Sequence, residues 1–272
     1  MTDPVLSIRN LSIDYVGAEE DFRAVKDVSF DIMPGEFFGL AGESGCGKST
    51  IAFAISRLHR PPALILSGSQ IRLAGRDVLA LNEEELRSFR WREVAMVFQS
   101  AMNSLNPVLT IERQFFDVLR THTGMSRAQA RDRAAELLAM VDISPDRLFS
   151  YPHQCSGGMR QRIVIAICLA LNPKLLIMDE PTTALDVVVQ REILGRIDVL
   201  RQQLGFSVLF ITHDLALMVQ ACDRIGIMLE GELVEVNAAQ TIYHSPQHAY
   251  TRRLWGSMPK LSGQQIGASA AL

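Results

Sequence analysis

Apolar and polar residues alternate near the start of the chain, a pattern typical of antiparallel strands with one exposed face. Such strands are predicted over residues 5–15 and 24–32, with a turn following at Pro34-Gly35. From residue 36 onward, short apolar runs alternate with segments of helical periodicity. This alternation predicts a parallel sheet covered by helices. The chain is therefore expected to be an α/β protein with an antiparallel β part at its N-terminal side.

Residues 110–141 differ from both the antiparallel β part and the α/β part of the chain. They show helical periodicity with many charges and few β-branched residues. Two or more surface helices are expected there, within a helical subdomain of about residues 100–170 that is inserted into the α/β core. The remaining elements are predicted from shorter patterns. Strands are expected at 36–41, 69–78, 94–99, 174–179, 207–212, 225–229 and 232–236, and helices at 48–58, 83–90, 159–171, 189–204 and 215–221.

Composition narrows the class of protein. The chain has 272 residues with 27 Lys and Arg against 30 Asp and Glu, a net charge of −3, and no basic run, which argues against binding nucleic acid through bulk charge. Its longest apolar run, Ile163 to Leu171, is far shorter than the ~20 residues of a spanning helix. The first residues show no secretory signal. The four cysteines form no C-x-x-C pair, so we expect reduced thiols in a cytosolic chain.

Residues 42–49 fit the phosphate-loop pattern G-x-x-x-x-G-K-[ST] and lie between a predicted strand and a predicted helix. Glycines there let backbone N–H groups converge on phosphate oxygens, Lys48 reaches the β and γ phosphates, and Ser49 can bind Mg²⁺. A glycine-rich turn with a solvated lysine would not explain the full pattern. The candidate nucleotide-binding residues are Gly42, Ser44, Gly45, Cys46, Gly47, Lys48, Ser49 and Thr50.

Two further predicted strands end in polar residues that a triphosphate site needs. Asp179 and Glu180 follow one apolar strand, and His213 follows another. Because ligands bind at the carboxyl edge of open α/β sheets, these side chains are expected to meet there. Asp179 would hold Mg²⁺ and Glu180 would polarise the attacking water. Taken alone, each could instead cap the following helix or simply end a strand.

The segment from Cys155 to Arg162, Cys-Ser-Gly-Gly-Met-Arg-Gln-Arg, resembles the signature segment of ATP-binding-cassette ATPases. The phosphate loop, Gln99, Asp179-Glu180, Thr183-Ala184-Leu185-Asp186 and His213 follow the order of that family. The resemblance implies an ABC ATPase fold: a P-loop NTPase core, an antiparallel β subdomain and an inserted helical subdomain. It further implies one ABC ATPase domain over 1–258 and a short tail over 259–272, expected to be disordered.

The resemblance also assigns roles. Two cassettes would dimerise head to tail, so that Ser156, Gly157 and Gly158 of one chain grip the γ-phosphate bound by the other. Gln99 would sense the metal and the γ-phosphate, and His213 would contact that phosphate. Tyr15 would stack on adenine, although an aromatic residue in a strand also suits sheet packing. Asp186 would bridge the two sites.

A finer resemblance is to the ATPases of oligopeptide, dipeptide and nickel importers, carried by Phe98 to Pro107, Pro181 to Val187 and His244 to Thr251. It implies a peripheral ATPase at the cytoplasmic face of the bacterial inner membrane. Its partners would be two transmembrane permease subunits and a second ATPase subunit, for which a paralogue is favoured over an identical chain. An extracytoplasmic binding protein would take part indirectly. Peptides are the expected cargo, with nickel chelates, opines or oligosaccharides as alternatives.

The chain departs from that family at two points. Cys155 stands where leucine is usual. Many longer relatives carry a C-terminal cysteine cluster suspected of holding an iron–sulfur centre, but no cysteine follows Cys222 here, so we expect no such cluster. The expected cofactors are ATP and Mg²⁺. A soluble ABC ATPase acting on nucleic acid or ribosomes is the alternative of another class, but the chain lacks a second cassette, long coiled insertions and basic segments. A kinase or small GTPase would leave Ser156-Gly157-Gly158 unexplained. No nucleic-acid partner is expected.

Overall fold

The computed structural model describes residues 3–17, 20–99, 104–181 and 186–256. Over these residues the chain forms two β-sheets and a set of helices, an α/β arrangement as predicted. Three predicted features lie outside the described residues in whole or in part: the C-terminal tail 259–272, Thr183-Ala184-Leu185, and residues 100–103 of the stretch that follows Gln99. Within the described part of the chain, no helix has the length and apolarity to cross a bilayer.

The N-terminal sheet is antiparallel. Its long strands β1 (Leu6–Tyr15) and β2 (Phe22–Ile32) pair along most of their length, and β1 also pairs with two shorter strands. Inward positions of β1 such as Leu6 and Ile8 are fully buried, whereas Arg9 and Asn10 are exposed, which explains the alternating sequence pattern. The short strands of this sheet are β4 (Ala63–Ile65), β5 (Gln70–Leu73) and β6 (Arg76–Asp77).

The second sheet has six strands in the order β11-β10-β3-β9-β8-β7. Five of them are parallel, and only β11 at one edge runs antiparallel to its neighbour. The carboxyl ends of β3, β7, β8 and β9 therefore meet at one edge of the sheet. The six strands are β3 (Phe37–Gly42), β7 (Val94–Val97), β8 (Leu175–Asp179), β9 (Ser207–Ile211), β10 (Arg224–Leu229) and β11 (Glu232–Ala238).

Both faces of this sheet are covered. In β8, Leu175 and Ile177 join the hydrophobic cluster shared with the antiparallel sheet, while Leu176 and Met178 join the cluster on the opposite face. All five residues of β8 are buried. A strand buried on both faces has a continuous apolar sequence, which is why this run predicted a buried strand of a parallel sheet.

Nine α-helices occur in the described residues. Helices α3, α4 and α5 pack together, and they share one hydrophobic cluster with a face of the six-stranded sheet. Thr110, Ser126 and Ser156 begin these three helices as N-caps. The helices are α1 (Lys48–Ile55), α2 (Glu83–Arg92), α3 (Ile111–Thr123), α4 (Arg127–Met140), α5 (Gly157–Cys168), α6 (Val187–Leu204), α7 (Leu215–Ala221), α8 (Ala239–His244) and α9 (Ala249–Gly256).

The predicted elements occur with shifted ends. The first core helix was predicted to reach Leu58 but ends at Ile55, and the strand predicted over 69–78 is split into β5 and β6 by a turn. The helix predicted from Met159 begins already at Gly157, because Ser156 caps it. Strand β4 and helices α8 and α9 were missed, since each is too short to show a clear periodicity.

Candidate active site

The phosphate-loop pattern connects β3 to α1, as predicted. Gly42, Gly45 and Gly47 have positive φ angles of 148°, 81° and 102°, conformations that other residues adopt only with strain. A Cβ atom on Gly42 would lie 2.3 Å from the carbonyl oxygen of Met228, and one on Gly47 would lie 2.5 Å from that of Ala24. The glycines therefore allow both the turn of the phosphate loop and its close contacts with the backbone of neighbouring segments.

Lys48 lies at the first position of α1 and is only 7% exposed. Its ammonium group donates to the carbonyl oxygens of Gly42 at 2.8 Å and Glu43 at 2.7 Å, and it lies 3.4 Å from the Cys46 thiol. These neutral acceptors satisfy a charge that would otherwise be buried without a partner. The lysine is thus held inside the loop, where an incoming phosphate group can exchange with the carbonyls.

Asp179 ends β8 and is 4% exposed. Burial raises the pKa of its carboxyl group, a hydrogen bond with Ser49 lowers it, the charge of Glu180 raises it and that of Lys48 lowers it, with a raised pKa as the result. Its Oδ1 atom is buried and has no hydrogen-bond partner among the described residues. A buried carboxylate oxygen without a partner, beside a serine hydroxyl, is a donor set that fits Mg²⁺.

Glu180 follows Asp179 and has a positive φ of 45°. Its Oε2 atom accepts a hydrogen bond of 2.8 Å from Nε2 of Gln99, and its Oε1 atom lies 3.6 Å from Nδ1 of His213. The Glu180 carboxylate is 23% exposed and the His213 ring 68% exposed, so the group faces solvent next to the buried Asp179. The structure therefore brings together three of the predicted site residues from the ends of β7, β8 and β9.

Tyr15 ends β1 and lies next to helix α1. Its hydroxyl group and Oγ1 of Thr50 are 3.2 Å apart and share a hydrogen bond. This contact places the last residue of β1 beside the helix that follows the phosphate loop. A pocket of about 330 Å³ lies between the loop residues 43–46, the start of β2 and the turn that joins β10 to β11.

The other predicted residues lie apart from the loop. Ser156 caps α5, and its hydroxyl oxygen accepts a hydrogen bond of 3.2 Å from the backbone N–H of Met159. Asp186 caps α6 in the same way, accepting from Val189 at 3.0 Å. No hydrogen bond joins Ser156, Gly157 or Gly158 to the phosphate loop in the described part of the chain. Ser156 and Asp186 are exposed at these helix starts, and Gly157 and Gly158 are half-buried.

The structure adds one neighbour of the loop that sequence reasoning missed. The phenol oxygen of Tyr250, in α9, accepts a hydrogen bond of 3.2 Å from the backbone N–H of Glu43. Tyr250 is 3% exposed. The sequence signal was an aromatic residue within the stretch from His244 to Thr251, which the resemblance marked without assigning it a role.

Residues 25–183 match the model of the family described as ABC transporter. The peptidoglycan transport ATP-binding protein YejF of Agrobacterium fabrum is 48% identical over 261 residues, which cover 95% of this chain and 48% of that protein. The chain therefore spans about half the length of this relative. The dipeptide transport ATP-binding protein DppD of Bacillus subtilis is 42% identical, over 95% of this chain and 78% of that protein.

Solved structures agree with these relatives. The ATP-binding cassette MJ0796, in a dimeric post-hydrolysis state with bound ADP and phosphate, superimposes with a TM-score of 0.75 at 30% sequence identity. The superposition covers 86% of this chain and 98% of that cassette. The similarity thus extends over nearly the whole of the solved cassette.

Proposed function

Because this chain belongs to the ABC transporter family and is an ATPase cassette of that family, we propose that it hydrolyses ATP to energise the import of peptides through a membrane-embedded permease. The observation that carries the proposal is the meeting of Lys48, Asp179 and Glu180 at one sheet edge. Peptides are the proposed cargo because relatives over most of this chain are named for dipeptide and oligopeptide transport. Residues 1–258 would form the working domain.

In this proposal the phosphate loop binds the β and γ phosphates of ATP. Its backbone N–H groups and the start of α1 would stabilise the negative charge of the phosphates. Lys48 would move from the Gly42 and Glu43 carbonyl oxygens to the phosphate oxygens. Ser49 and Asp179 would hold Mg²⁺, for which the unpartnered Asp179 oxygen is suited. When bound, the ion neutralises charge that develops on the phosphates.

Glu180 is the proposed group that orients and polarises the attacking water. Its carboxylate is solvent-accessible, and Gln99 holds one of its oxygens while His213 lies near the other. Gln99 and His213 would contact the γ-phosphate or its metal when the nucleotide is bound. Glu180, Gln99 and His213 follow neighbouring strands. A nucleotide that contacts one of these side chains would therefore change the positions of the other two.

A second cassette would complete the site. Ser156, Gly157 and Gly158 present a hydroxyl group and free N–H groups at the start of α5, which suits a phosphate supplied by a partner chain. Asp186 would bridge the two sites, and Tyr15 would stack on adenine. A dimeric relative in a post-hydrolysis state is consistent with this arrangement. By resemblance to peptide importers, the second cassette is a paralogue.

An apolar groove is the proposed contact with the permease. It has a volume of about 370 Å³ and lies between β7 and helices α3 and α5, lined by Trp91, Phe98, Leu105 and Val118 among others. Each of the two transmembrane permease subunits would dock one helix in such a groove, with one groove on each cassette. The chain would then work at the cytoplasmic face of the bacterial inner membrane, with an extracytoplasmic binding protein supplying the peptide.

The test is coexpression with the two permease subunits and the second cassette. We expect the chain to float with membranes only when the permeases are present, and proteoliposomes with the binding protein to take up a labelled dipeptide in an ATP-dependent manner. Lys48→Ala is the control, because it should retain membrane association and lose uptake. Flotation without permeases, or ATP hydrolysis that dipeptide and binding protein never stimulate, would contradict the proposal.

A further inference from the structure

The C-terminal helix α9 contacts the phosphate loop at one atom pair that the proposed mechanism does not use. The Tyr250 hydroxyl oxygen accepts a hydrogen bond from the Glu43 backbone N–H at 3.2 Å. Glu43 is the second residue of the loop. The phenol group therefore holds the backbone of a loop residue 207 positions earlier in the chain.

The same residue is linked to Lys48, and so is the Gly42 carbonyl oxygen of the peptide group whose N–H donates to Tyr250. The Glu43 carbonyl oxygen accepts from the Lys48 ammonium at 2.7 Å and from the Cys46 backbone N–H at 3.3 Å. A shift of Glu43 would therefore move the acceptor that holds Lys48. Because Tyr250 fixes the N–H side of this residue, it restrains the part of the loop from which Lys48 must reach a phosphate.

Tyr250 is itself held firmly. The buried carboxylate of Glu235 in β11 accepts the backbone N–H groups of Gln247 at 2.8 Å and His248 at 2.9 Å, directly before α9. Burial alone would raise the pKa of Glu235, but the hydrogen bonds from these N–H groups oppose it, and the pKa is lowered overall. The Glu235 charge is thus stabilised where it anchors the start of α9, and the buried phenol ring has little freedom to move.

We propose that Tyr250 is a positioning residue for the phosphate loop, which sets the affinity for the nucleotide by fixing Glu43 in the conformation that binds phosphate. This inference rests on the proposed function, since it concerns the same nucleotide site. The Tyr250 hydroxyl group bonds to the backbone of Glu43 and not to Ser49 or Asp179, the proposed metal ligands, among the hydrogen bonds of the described residues. Its loss should therefore weaken nucleotide binding and leave the hydrolysis step intact.

The experiment measures binding of MgADP to the full chain by calorimetry. Tyr250→Phe removes only the hydroxyl group, and we expect Kd to rise about three- to tenfold, the range of one net hydrogen bond. Tyr243→Phe is the matched control, because it removes a hydroxyl group from a ring that packs against Trp255 in the same C-terminal segment. Its Kd should stay within about twofold of the original value, which is less than a typical hydrogen bond contributes.

In the assembled transporter, Tyr250→Phe should raise KM for ATP by a similar factor with kcat unchanged, a separation that a general loss of stability would not produce. Glu43→Ala is the second variant and leaves α9 intact. It keeps the backbone N–H that donates to Tyr250, so Tyr250→Phe should raise Kd by the same factor in the Glu43→Ala background as in the original chain. Equal MgADP affinity of Tyr250→Phe and the original chain, or a fall in kcat alone, would overturn the inference. Failure of the original chain to bind MgADP would overturn the proposed function as well.

Discussion

Replacing Glu180 by glutamine separates nucleotide binding from hydrolysis at this site. The substitution keeps the size of the side chain and its hydrogen-bonding capacity toward Gln99 but removes the negative charge and the basic oxygen. The backbone N–H of Glu180 donates to the Ile211 carbonyl at 2.8 Å, so the main chain stays in place. The variant therefore tests the carboxylate and not the fold around it.

Two magnitudes follow from the position of the carboxylate. Loss of a positioned general base slows the chemical step by roughly 10²- to 10⁴-fold, so we expect kcat of the assembled transporter to fall within this range. The side chain is partly exposed and its charge is screened by solvent. Removing that charge beside a triphosphate should leave Kd for MgATP unchanged or lower it by up to about fivefold, equal to ~1 kcal/mol.

The assay combines phosphate release by the assembled complex with equilibrium binding of MgATP to the full chain. Glu192→Gln on the exposed face of α6 is the matched control and should change neither quantity. His213 lies 3.6 Å from the same carboxylate, so adding His213→Ala to the Glu180 variant should cost less than the product of the single effects. Retention of more than about a tenth of kcat, well above the expected range, or a weakened affinity for MgATP, would refute the role given to Glu180.

Two further predictions concern thiols and stability. Maleimide labelling at neutral pH, followed by peptide mass spectrometry, should modify Cys46 and, more slowly, Cys155, whose pKa burial raises, while Cys168, with its pKa raised to about 12, stays unlabelled. Labelling should abolish ATP hydrolysis, and MgATP should protect Cys46. Full ATPase activity after both thiols have reacted would contradict this prediction. Glu112→Gln should lower the free energy of unfolding by about 1–2 kcal/mol, because two arginines of α4 bond to this buried carboxylate. Burial raises the pKa of Glu112 but these hydrogen bonds lower it overall. The difference in urea unfolding should therefore be present near pH 7 and shrink as pH falls from the ordinary carboxyl pKa through the lowered pKa. A difference that stays constant at pH values below the lowered pKa would exclude the charge as its cause.

The sequence predicted the phosphate loop well because its pattern is local. Its glycines, lysine and serine lie within eight consecutive residues, and the flanking strand and helix have clear hydrophobic patterns. The contact of Tyr250 with Glu43 could not be predicted in this way. It depends on how α9 docks against β11 and the loop, and a helix of eight residues shows too little periodicity to define its buried face.

The residues at the sheet edge lie between these two cases, because the strand ends were predictable but the strand order was not. Val97 of β7 pairs with Met178 of β8, so Gln99 and Glu180, each two residues further on, lie opposite one another. Asp179 pairs with Ile211 of β9, which brings His213 to the other side of Glu180. Register thus explains why three residues from distant parts of the sequence converge. It does not bring in the start of α5, since that helix packs mainly with α3, α4 and β7. In the proposed function, a second cassette would therefore supply the phosphate that the signature segment binds.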